Sequence, residues 1–134
     1  LTTSSAASDV YKRQDINPDE LIKARNERNE FSTDLLQCHS PKQLEKIASK
    51  WDDSFLSIKL NWLSKIIFYS ICTKLNQSEV QSYYFNENIS YLAKTKDLVE
   101  LFNLSNELNV FIKELADGIN LNNKIQIKAL LSSY

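Results

Sequence analysis

Few residues in this chain are of types that do chemistry, and their spacing argues against most kinds of it. Cys38 and His39 are adjacent, and Cys72 is the only other cysteine. A Cys-His dipeptide does not close a zinc site, which normally needs four ligands at suitable spacing. With His39 the sole histidine, a serine- or cysteine-type triad has little to work with. Two cysteines without a spaced framework or a secretory signal read as reduced thiols of a cytoplasmic protein. Asp52 and Asp53 are adjacent acids, but neighbouring helical side chains point about 100° apart. Both stand where a helix N-terminus attracts negative charge, so structural capping is expected.

The single glycine, Gly118, excludes a Gly-rich phosphate loop and a dinucleotide-binding fingerprint. Trp51, Trp62 and the tyrosines are of the type that stacks on bases, yet most fall on apolar stripes that read as core. No catalytic, cofactor-binding or metal-ligating residue is expected, and the chain by itself is not expected to be an enzyme.

Composition narrows the class further. The formal charge is −1 and the isoelectric point about 5.9, so no basic field recommends nucleic acid as a partner. A hydrophobic share of 43% and a charged share of 25% are those of an ordinary globular protein, and the length suits one domain. No apolar run approaches the roughly 20 residues that cross a bilayer, so no membrane role is expected. Residues 1–14, LTTSSAASDVYKRQ, lack apolar periodicity. Asp9–Gln14 looks like the conceptual translation of a transposase-end sequencing adapter, and 1–14 is set aside as non-native or disordered. Without a methionine, the chain reads as an internal or C-terminal fragment of a longer protein, with residues 15–134 forming its helical domain.

The remaining pattern is helical throughout. Asn17-Pro18-Asp19-Glu20 opens a first helix with a cap, a proline at the first position and two acids in the first turn. Leu21, Ala24, Phe31 and Leu35 follow its period, although Arg25–Glu30 is almost wholly polar. Ser40-Pro41-Lys42-Gln43 reads as a capping box, after which Leu44, Ile47, Ala48 and Trp51 share one face. From Asp52 to about Leu75 lies the apolar centre. Phe55, Leu56, Trp62, Leu63, Ile66, Ile67 and Ile71 form a wide stripe there, extended by Leu60, Phe68 and Tyr69. A helix this apolar is usually covered on more than one side. Asn76–Asn88 reads as a polar and aromatic loop, with a short helical turn around Ile89, Tyr91 and Leu92.

Thr95 is the expected cap of a long helix whose stripe is Leu98, Leu101, Phe102, Leu108, Phe111, Ile112 and Leu115. Gly118 ends that helix, since only glycine enters left-handed backbone without steric cost. Asn120 is the expected cap of a last helix carrying Leu121, Ile125, Leu130 and Leu131. With no alternating segments between turn signals, the expected fold is all-α, a single bundle of about five to six helices.

Trp51, followed by Leu60-Asn61-Trp62-Leu63-Ser64-Lys65-Ile66-Ile67, resembles the collar domain of bacterial DNA polymerase III delta prime subunits. That family has a tryptophan-bearing segment leading into a helix with an apolar-Trp-Leu motif. Leu98–Leu131 resembles the family's terminal helix pair, with Gly118-Ile119-Asn120 at the Gly-apolar-Asn corner. The resemblance covers Asp15–Tyr134. It implies a clamp-loader subunit acting in DNA replication, with the delta and gamma/tau subunits as partners through a circular helical collar. The family's AAA+-type module, arginine finger and zinc-binding loop have no counterpart here, so no catalytic, nucleotide or metal residue is carried over and no cofactor is expected. The residues singled out as structural or interface candidates are Trp51, Phe55, Trp62, Leu63, Ile66, Ile67, Gly118 and Asn120. The aromatic group Tyr83–Phe85 joins them as apolar surplus beyond the internal core.

The alternative is a helical nucleic-acid-binding domain, motivated by Lys42, Lys46, Lys50, Lys59 and Lys65 on neighbouring helices. Acids interleave these lysines, which favours a solvated face instead.

Overall fold

The computed structural model describes residues 17–76, 84–119 and 122–134. Six helices and no strand occur among them, in agreement with the all-α expectation. Two units divide the chain, Leu1–Phe31 and Ser32–Tyr134. The boundary falls within helix α1, Pro18–Gln37. In the first unit, α1 begins as expected: the Asn17 side chain accepts the Asp19 N–H at 3.1 Å, and Asp19 and Glu20 occupy the first turn. Leu21 and Ile22 are exposed there.

The second unit holds the end of α1 and five further helices. These are α2 (Pro41–Trp51), α3 (Leu56–Asn76), α4 (Asn86–Thr95), α5 (Leu98–Ala116) and α6 (Asn123–Ser132). Helix α3 packs against both α4 and α5, α2 packs on α6, and α5 also meets α6. The core is a set of helical stripes spaced three and four apart. Leu60, Leu63, Ile66 and Ile67 come from α3; Leu101, Leu104 and Leu108 from α5; Trp51 from α2; and Ile127, Leu130 and Leu131 from α6. Each such side chain contributes about 1.5–3 kcal/mol by leaving water.

Several helix ends differ from the sequence expectation. Ser40 holds the N-cap position of α2, but its side chain makes no capping hydrogen bond. Pro41 confines the preceding residue to extended backbone and presets the first helical turn, so the start is fixed without the hydroxyl. The long helix α5 is capped by Asp97, not Thr95. Asp97 Oδ1 accepts the Glu100 N–H at 2.8 Å and Glu100 Oε1 accepts the Asp97 N–H at 3.3 Å, a complete capping box. Thr95 instead closes α4 and donates its hydroxyl to the Tyr91 carbonyl at 2.7 Å. Helix α4 begins at Asn86, inside the stretch expected to be loop. The cap of α6 is Asn122, whose Oδ1 accepts the Ile125 N–H at 3.2 Å. Asn120 and Leu121 lie outside the described residues.

Gly118 does end α5. Its φ is 68°, the left-handed region. The Gly118 N–H donates to the Leu115 carbonyl at 3.2 Å and the Ile119 N–H to the Glu114 carbonyl at 3.1 Å. With Asp117 as C-cap, these are the two bonds of a Schellman motif.

Several positions expected on apolar stripes are on the surface: Leu21, Ala24, Phe55 and Phe68, and also Phe102 at 50% and Ile125 at 63% exposed. Phe102 and Ile125 each lie two residues, about 200° of helix, before the buried residue that defines the stripe, Leu104 in α5 and Ile127 in α6.

Candidate interaction surface

The chemistry-bearing residues of the second unit gather at the end of α1, on α4 and at the C-terminal Tyr134. Asn88 is fully buried on α4. Its Oδ1 accepts the Ser32 hydroxyl at 2.6 Å, and its amide donates to the Ser32 carbonyl at 3.1 Å and to Tyr134 Oη at 3.3 Å. The Tyr134 ring stacks on Tyr91 with centroids 5.7 Å apart, and His39 flanks both rings. Tyr91 Oη lies 2.6 Å from His39 Nε2. Cys38 is buried beside them and donates to the Leu35 carbonyl at 3.2 Å. Burial pushes the Cys38 thiol up to about 11 and the Tyr134 phenol well above its ordinary range. A thiol held protonated is a poor nucleophile. The cluster therefore acts as a polar tie among α1, α4 and the chain end. Sequence reasoning missed Asn88 and Tyr134 because neither belongs to a recognisable spacing.

The other polar groups are likewise engaged in packing. Asp34, buried at the end of α1, accepts from Lys50 Nζ at 2.8 Å and from Trp51 Nε1 at 3.0 Å. Asp53 accepts the Phe55 N–H at 2.8 Å and the Lys59 ammonium at 3.1 Å, while Asp52 accepts from Asn123 at 3.4 Å. The two adjacent acids thus serve a turn and a helix–helix contact. Glu45 on α2 meets Lys124 at 2.5 Å and also Lys128, both on α6. Two of the five lysines that motivated a nucleic-acid reading, Lys50 and Lys59, are committed to ion pairs. Among the described residues, no three metal-ligating side chains converge. No helix among them is long and apolar enough to cross a membrane.

The interface candidates separate by burial. Trp51, Leu63, Ile66 and Ile67 are core, with no surface to offer. Phe55 is 37% exposed, just before α3. Trp62 is half-buried, its ring 6.1 Å from that of Phe85. Phe85 itself adopts φ 67°, a costly conformation for a bulky aromatic. Tyr84 is exposed, and Tyr83 lies outside the described residues. Gly118 is exposed at its corner.

The apolar surface comes instead from two helix faces. On α3, the side opposite the buried stripe carries Ile58, Phe68 and Leu75, with Phe68 60% exposed. On α5, the outer side carries Val99, Phe102 and Val110, with Val99 67% exposed. On each face the apolar groups are spaced out, with exposed Asn61 and Lys65 between Ile58 and Phe68 and exposed Asn103 and Asn106 between Phe102 and Val110. Among the described residues, no reactive constellation lies on either face. What they can do is pack against another molecule. Comparison with family models, with curated proteins and with solved structures finds no match for this chain.

Proposed function

We propose that this chain is an assembly module, the helical oligomerisation (collar) domain of a clamp-loader subunit of the delta prime kind, with no active site of its own. The observation that carries the reading is a conjunction. The tryptophan segment ending at Trp51, the Leu60–Ile67 block and the Gly118 corner occur in order within an all-helical chain. Helices α3 and α5, which bear or adjoin these motifs, keep Ile58, Phe68, Leu75, Val99, Phe102 and Val110 exposed after their core is built. Apolar helix faces with polar rims are what subunit contacts need. Several titratable groups support the reading from the other side: Asp34, Glu45, Lys50, Lys124 and Lys128 are spent on ties between helices.

Co-expression with delta and gamma/tau subunits tests the proposal. A complex that survives size-exclusion chromatography is expected. A chain that is well folded by circular dichroism yet never co-purifies would overturn the reading.

A further inference from the structure

Of all the aspartates and asparagines in the chain, only Asp117 is followed by glycine. That pair carries a chemistry of its own. The backbone nitrogen one residue beyond an aspartate can attack the side-chain Cγ and close a cyclic imide. A Cβ on the attacking residue hinders the approach, and Gly118 has none. Asp117 and Gly118 are both exposed, and a Cβ built on Gly118 finds open space among the described residues. Among those residues nothing hydrogen-bonds or pairs with the Asp117 carboxylate. The nearest competitor by side-chain size, Asp53 before Ser54, is held on both oxygens. Its Oδ1 accepts the Phe55 N–H at 2.8 Å and its Oδ2 the Lys59 ammonium at 3.1 Å.

The folded corner restrains the reaction. At ψ −1° the Gly118 nitrogen eclipses the backbone nitrogen of Asp117, whereas ring closure needs it to eclipse Cβ. The Gly118 N–H is also engaged with the Leu115 carbonyl at 3.2 Å. Turning ψ toward closure breaks that bond and the one from Ile119 to Glu114. Bonds at a helix end open locally at far lower cost than the whole fold.

We infer that Asp117–Gly118 is a self-modification site gated by the Schellman corner. When the corner opens, the Gly118 nitrogen bonds to Asp117 Cγ, and the amide hydrogen leaves with the carboxyl hydroxyl as water. Water then adds back to the imide. Breaking the bond from nitrogen to Cγ restores aspartate. Breaking the bond from nitrogen to the main-chain carbonyl leaves the chain running through Cβ and Cγ, an isoaspartyl link. The net change is an isomerisation that consumes no oxidant or other reactant. The isoaspartyl chain is one backbone atom longer, so the two Schellman bonds fall out of register and α5 loses its stop. This chemistry is independent of the clamp-loader reading.

Peptide mapping by mass spectrometry with electron-transfer fragmentation separates isoaspartyl from aspartyl links and follows the full chain through prolonged incubation at neutral pH. Isoaspartate is expected at position 117 of the native chain, accumulating roughly 5–30-fold more slowly than in the urea-unfolded chain. An imide one water lighter precedes it. Asp117→Glu, which lengthens the ring to be closed, abolishes the signal, and Gly118→Ala slows it in the unfolded chain, where the corner plays no part. Equal rates in native and unfolded chains overturn the gating. A native chain that stays unmodified while the unfolded one reacts overturns the site. Isoaspartate that forms first at Asp53, or that persists in Asp117→Glu, overturns the assignment.

Discussion

Replacing Gly118 by valine isolates one physical quantity. At φ 68° the backbone is left-handed, and among the described residues a Cβ built on Gly118 meets no atom within 4 Å apart from its chain neighbours. Steric collision with neighbours therefore contributes nothing, and the cost is purely conformational. For an L-residue this conformation costs about 1–2 kcal/mol, at the upper end when the side chain is β-branched. The substituted chain also loses unfolded-state freedom, which returns about 0.4–1 kcal/mol. Gly118→Val is thus expected to destabilise by about 1–1.5 kcal/mol, Gly118→Ala by somewhat less, and Gly118→Asn least, because asparagine tolerates left-handed backbone. For a unit of about 100 residues this lowers the melting temperature by roughly 4–10 °C for valine. Urea denaturation followed by circular dichroism reads all three variants on one scale. If valine melts with the parent, the Schellman corner is not what holds α5 to its end. A loss above about 4 kcal/mol refutes the argument from the other direction, since it demands a clash that the open space around Gly118 forbids.

Three further outcomes are expected. Asp97→Ala removes the side-chain half of the α5 capping box and costs about 1 kcal/mol, whereas Thr95→Ala leaves the start of α5 intact; paired denaturation curves distinguish them. Hydrogen bonds from Lys124 and Lys128 lower the Glu45 carboxyl from 4.5 to about 2. A depressed acid stabilises above its unfolded value and loses that contribution as pH falls through the folded one. Glu45→Gln is therefore less stable than the parent at pH 6, and the two melting curves converge as pH drops from about 4.5 to about 2. Finally, burial and the raised thiol keep Cys38 unreactive. At pH 8 a disulfide reagent is expected to label Cys72 alone in the native chain, with Cys38 reacting only after unfolding; mass spectrometry of the labelled peptides reads this directly.

The helices were legible because they are periodic. Ile47, Ala48 and Trp51 are spaced on one helical face, and the structure buries all three. The Asn17 start and the Gly118 stop were equally readable, each resting on a residue with one dominant backbone use. Errors came where two residues competed for one role. Thr95 and Asp97 are both good caps, and only the Glu three residues after Asp97 decides between them. Phe102 and Ile125 looked like core from hydrophobicity alone, although their phase already set them apart from Leu104 and Ile127. The Asn88 network was out of reach, because Ser32, Asn88 and Tyr134 are brought together only by the packing of α1 and α4. The exposed apolar residues were half visible: the sequence shows that α3 is apolar on nearly every side, but not which side the bundle leaves bare.

The pairing of α2 with α6 bears on how the chain folds. Helices α3, α4 and α5 are consecutive in the chain, and α3 packs against both of the others. By contrast, Glu45 must find Lys124 and Lys128 across some eighty intervening residues, a closure whose entropy is lost before any contact rewards it. The α3–α5 segment is thus the natural nucleus, and α2 with α6 a latch that engages last. A latch made late is also released early. Native amides in α2 and α6 are therefore expected to exchange with solvent as one cooperative unit, at a lower free energy than those of the α3–α5 centre, which hydrogen-exchange mass spectrometry reads directly.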